Sequence, residues 1–105
     1  KNLAAGGWNQ LSFIEQMANI GSEVERALNW RIKKNTDYAQ KAFERALELI
    51  DLTLENDKNY AHLQEITRMR EAIVDYFSGA NQFMSSDSSW RSYFLPFTYA
   101  SRRNH

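Results

Sequence analysis

The segment Asp37–Asn56, DYAQKAFERALELIDLTLEN, decides the architecture. Ala39, Ala42, Phe43, Ala46, Leu47, Ile50 and Leu54 recur at steps of three and four, which collects them on one side of a helix. Leu49 and Leu52 widen the apolar arc to more than half the circumference, so this helix should be covered on two sides. Glu44, Glu48, Asp51 and Glu55 line the opposite face. Working outward, Gln10–Lys33 shows the same periodicity through Leu11, Ile14, Ala18, Gly21, Val24, Leu28 and Ile32. Asn35-Thr36-Asp37 supplies the break and an N-cap. Downstream, Asn56-Asp57-Lys58-Asn59 reads as a short polar turn, so the helix over Tyr60–Ser78 should return antiparallel. A fourth helix is expected over Ser88–Arg102, with Pro96 kinking or splitting it.

These four segments predict an all-α, antiparallel up-and-down four-helix bundle. At 105 residues the chain forms one domain, residues 1–105, with 1–8 and 101–105 as flexible tails. Four glycines and one proline leave little turn material for an all-β fold, and 43% hydrophobic residues argue against disorder. Apolar runs are too short for a spanning helix, and Lys1–Gly7 has no signal-like apolar stretch; the expectation is a cytoplasmic protein with no membrane partner.

Little in the motif inventory points to catalysis. Cysteine is absent, which excludes disulfides and thiol chemistry. His62 and Glu65 stand three apart, but the order reverses the Glu-x-x-His of carboxylate-bridged di-metal bundles and occurs once. No metal site and no cofactor are therefore expected. Nucleophile constellations and glycine-rich phosphate loops are missing as well.

Charge is more informative locally than in sum. Thirteen basic residues balance thirteen acidic ones, which argues against a dedicated duplex-DNA binder. Residues 37–57 hold six acids against Lys41 and Arg45, a net of −4, whereas residues 88–105 hold Arg91, Arg102 and Arg103 and no acid. An antiparallel hairpin about residue 57 or 58 would set Arg68 and Arg70 level with Glu44 to Glu48 as an ion-pair ladder. Trp90, Phe94, Phe97 and Tyr99 are interface candidates, since aromatics beside arginine are enriched at contacts, and a homodimer is expected. The small residues Ala18, Gly21 and Ser22 would admit a neighbouring helix closely.

The run Arg70-Glu71-Ala72-Ile73-Val74-Asp75-Tyr76-Phe77 resembles the Arg-x4–6-His signature, often followed by Tyr, of the HEPN superfamily (higher eukaryotes and prokaryotes nucleotide-binding). That group includes RNase toxins and helical partners of minimal nucleotidyltransferases. The resemblance places Arg70 at the arginine position and Asp75 at the histidine position. An aspartate is a poor stand-in for an imidazole acid–base near neutrality, so the resemblance implies a non-catalytic binder with an RNA or nucleotidyltransferase partner. Arg68, Arg70, Asp75 and Arg91 are then the nucleotide- or anion-binding candidates. The alternatives are an RNase with a non-standard Arg/Asp pair and a purely structural dimerising bundle.

Overall fold

In the computed structural model, which describes residues 7–103, four α-helices account for most of the chain. They are α1 (Phe13–Ile32), α2 (Thr36–Glu55), α3 (Leu63–Ser78) and α4 (Asp87–Arg103), with a 3-10 segment over Asp57–His62. The all-α four-helix bundle read from the periodicity is the fold. Helix α1 packs along both α2 and α4, and α2 packs along α1 and α3. The order around the bundle is thus α4–α1–α2–α3, with α2 covered on two sides as its wide arc requires.

Each helix begins and ends where local chemistry dictates. Ser12 and Glu15 form a reciprocal capping box, so α1 starts at Phe13 rather than Gln10. At its other end, the Asn35 N–H donates to Trp30 O and the Lys34 N–H to Arg31 O, with Lys34 left-handed at φ 63°. This double closure turns the chain within three residues. Asn35 then caps α2 by accepting from the Tyr38 N–H. Gly79, at φ 101°, closes α3. Helix α4 stays a single helix through Pro96, so of the expected kink or split the split is absent. Pro96 removes one backbone donor, and both it and Ser92, whose carbonyl loses that donor, face solvent.

The core is built from Met17, Ile20, Val24 and Leu28 of α1, Ala46 and Ile50 of α2, Ile66, Met69 and Ile73 of α3, and Trp90 and Phe94 of α4. Trp8 joins it, fully buried, so the expected 1–8 tail does not extend to this residue; residues 1–6 lie outside the described residues. A buried polar network holds Trp8. Its indole N–H donates to Thr53 Oγ1 (2.9 Å), and its carbonyl accepts from Gln16 Nε2 (2.9 Å). Asn59 Nδ2 donates to Gln16 Oε1 (2.9 Å) and Thr53 O (3.0 Å). The Lys58 ammonium donates to Asn9 O and Leu11 O. The other expected tail is helical as far as Arg103, and residues 104–105 lie outside the described residues.

Gly21 sets how closely α1 and α4 approach. A Cβ there would lie 2.8 Å from Cβ and Cγ of Phe94, with no flexible end to yield. Gly21→Ala gains about 1 kcal/mol of helix propensity, but overpacking of this kind costs about 1–3 kcal/mol. The net expectation is a stability loss of up to about 2 kcal/mol by urea denaturation; a higher midpoint would show that α4 can retreat freely.

Candidate functional site

The four anion-binding candidates do not present free charges to a common cleft. Arg70 Nε donates to Asp51 Oδ1 at 2.8 Å. This places the ion pair one turn beyond the expected ladder with Glu44 and Glu48, because six residues of 3-10 helix precede α3 and move the midpoint of the hairpin to residues 60–61. Asp75 clamps the α3–α4 loop: Oδ1 accepts from the Gln82 N–H (2.7 Å) and Oδ2 from the Phe83 N–H (3.0 Å). Arg91 Nε donates to both oxygens of Glu25 (2.9 and 3.1 Å), and its Nη2 to Asn29 Oδ1 (2.9 Å). Arg68 alone of the four has no partner among the described residues; it lines a groove between α3 and α4.

Of the four interface candidates, Trp90 and Phe94 are buried in the chain's own core, a correction to their expected exposure, with Phe94 set against Gly21. Phe97 is half-buried against Phe13 and Tyr93, and Tyr99 is exposed. His62 stacks flat on Phe13 (centroids 3.8 Å apart), with Nδ1 3.6 Å from Glu65 Oε1. Among the described residues no group of three or more His, Asp or Glu side chains could hold a metal ion. None of their helices is long and apolar enough to cross a membrane.

A different constellation emerges where α1 and α2 meet. Arg26 and Trp30 of α1 and Lys33 at its C-cap stand at steps of four and three; Tyr38, Lys41 and Arg45 stand at three and four beyond the turn. Antiparallel packing brings the two stripes together. Trp30 and Tyr38 meet edge to face at 4.8 Å between centroids. Lys33 Nζ lies 5.3 Å from the Trp30 ring centroid and Lys41 Nζ 5.8 Å from that of Tyr38. Glu23, Arg26, Trp30, Tyr38, Lys41 and Arg45 surround a recess of about 150 Å³. A second depression, bordered by Ser22, Glu25, Asn29 and Lys33, shares Arg26 and Trp30 with it.

The electrostatics of this seam are unbalanced. Glu23 is its one embedded acid, its side chain 13% exposed, with Arg26 at 3.4 Å and Arg45 at 3.9 Å from Oε2, while Oε1 is buried without a partner. Both arginines remain more than half exposed, so these pairs contribute no more than about 1 kcal/mol each. Lys33 and Lys41 have no carboxylate partner among the described residues. Residues 26–45 hold six basic side chains and two acidic ones, a net of +4. That window is the signal a charge count could have used; the 37–57 window cut the patch in half.

Comparison with protein-family models, curated proteins and solved structures gives no match for the chain.

Two tyrosine–carboxylate hydrogen bonds tie α3 to α4. Tyr93 Oη donates to Glu65 Oε2 at 3.2 Å, and Tyr76 Oη to Asp87 Oδ1 at 2.5 Å. Burial foremost, then the neighbouring carboxylate, raises both phenols above their ordinary value of 10.0. A phenol whose folded pKa is raised contributes stability that is complete below its unfolded value and lost as pH climbs past it. Urea midpoints should therefore fall as pH rises above 10, and less steeply in the double variant Tyr76→Phe/Tyr93→Phe. Equal slopes for the two proteins would place the loss elsewhere.

Proposed function

We propose that this chain is a non-catalytic binding module for single-stranded RNA, which lies along the α1–α2 seam. The observation that carries the reading is the mirrored arrangement of two aromatic rings among four cations. Phosphates pair with Arg26, Lys33, Lys41 and Arg45, while an unstacked base lies on the exposed portion of Tyr38 or Trp30. A duplex keeps its bases stacked inside and offers the rings nothing, in keeping with a net charge of zero over the whole chain. The resemblance of Arg70–Phe77 to the HEPN signature adds weight to a nucleotide or RNA partner, at a location other than Arg70 and Asp75. The RNase reading is the weaker one, since Arg70 is paired with Asp51 and both Asp75 oxygens hold backbone N–H groups.

Fluorescence anisotropy with a labelled octauridylate tests this. Three to four phosphate contacts on a single strand give a log–log salt slope of about −2 to −3. The variant Arg26→Gln/Lys41→Gln/Arg45→Gln should bind at least about tenfold more weakly with a shallower slope, and Tyr38→Ala should lose about fivefold or more. A matched RNA duplex should bind more weakly than the single strand. Unaltered binding by the triple variant would end the proposal, and RNA cleavage that vanishes in Arg70→Ala would restore the RNase reading.

A further inference from the structure

The bundle closes unevenly. Helix α1 lies tightly between α2 and α4, whereas α3 and α4 are not among the extensively packed helix pairs of the described residues. The gap between them is a groove of about 490 Å³, a size typical of small-ligand sites. The two tyrosine–carboxylate bonds bridge it: Tyr93–Glu65 near the start of α3, and Tyr76–Asp87 near its end. Between these tethers lie Arg68, Met69 and Ala72 of α3 and Ser89 and Trp90 of α4.

The polar groups of the groove differ sharply in what they have left to bond. Glu65 accepts from Tyr93 on one oxygen and has His62 beside the other. Ser89 Oγ donates to Ser86 O and accepts from the Ser86 N–H. One free charge remains, the guanidinium of Arg68; the indole N–H of Trp90, a residue that borders both this groove and the α1–α4 face, is buried without an acceptor. Arg68 is a donor, and the surfaces beside it, Met69, Ala72 and the Trp90 ring, are apolar.

We propose that the α3–α4 groove binds an apolar, ring-bearing carboxylate, with the ring against Met69, Ala72 and Trp90 and the carboxylate on Arg68. Charge selects carboxylate over phosphate: the rim offers one cation, and the nearby Glu65 carboxylate opposes a doubly charged group. The site is separate from the α1–α2 seam and shares no residue with it.

A 1H–15N NMR titration of the full chain with 1-naphthoate tests the site, with the indole signals assigned through Trp90→Phe and Trp8→Phe. The Trp90 indole should shift saturably at ligand concentrations below about 1 mM. The Trp8 indole, bonded to Thr53, should stay in place. Uncharged 1-naphthamide and the variant Arg68→Gln should each weaken binding about tenfold. Arg68 is exposed and unpaired, so this variant keeps the fold, which circular dichroism checks. Absence of a saturable Trp90 shift, equal affinity for the amide, or undiminished binding by Arg68→Gln would each overturn the proposal. Tighter binding of 1-naphthyl phosphate than of 1-naphthoate would overturn the assignment to a carboxylate.

Discussion

The hydrogen bonds among Trp8, Gln16, Thr53 and Asn59 form inside the apolar core, where an unpaired polar group costs most. Each member comes from a different stretch: the segment before α1, the first turns of α1, the end of α2, and the 3-10 segment. Satisfying one fixes the next, so the network sets where α1 begins relative to the handover from α2 to α3. Thr53 also donates back to Leu49 O, which orients its hydroxyl oxygen to accept from the Trp8 indole. Once α1 is pinned at this end, its length carries it past Gly21, where α4 closes on it, to the sharp turn at Lys34. The seam at one end of the α1–α2 hairpin and the polar network at the other are two consequences of one register.

This register also accounts for the charge balance. Thirteen against thirteen is not an even mixture. The acids Glu25 and Asp51 are matched across helices by Arg91 and Arg70, which joins α1 to α4 and α2 to α3 at partly exposed positions. Those pairings use two of the arginines that looked available. Cations left without a carboxylate partner among the described residues include Lys33 and Lys41 on the α1–α2 seam, beside two rings, and Arg68 on the α3–α4 groove. A neutral chain thereby keeps local anion-attracting surfaces, which global charge alone does not disclose.

The helices were legible because their signal is periodic and local. The apolar steps of α2 and the Asn35 break survive in the structure within a residue or two. What was not legible depends on tertiary register. Gln16, Thr53 and Asn59 are polar residues of kinds that usually face water, and nothing in their spacing marks them as buried partners of Trp8. The Asp51–Arg70 pair was displaced from the expected ladder because a 3-10 segment, not a tight turn, begins the return. Asp75 reads as a surface acid or a site residue; its role in clamping Gln82 and Phe83 follows from the left-handed backbone of the loop at Asn81 and Met84. The seam was divided between two segments, and its mirror symmetry exists only once the helices are antiparallel. One local signal was available and unused: Ser12-x-x-Glu15, a capping box that fixes the start of α1.

The claim that function resides on the α1–α2 face is tested most directly by photocrosslinking. An octauridylate carrying 4-thiouridine, irradiated with the intact chain and analysed by mass spectrometry of the digested adduct, reports which rings the bases touch. The account predicts adducts on peptides containing Trp30 or Tyr38. Adducts confined to α3 and α4, at Tyr93 or Tyr76 for example, would contradict it.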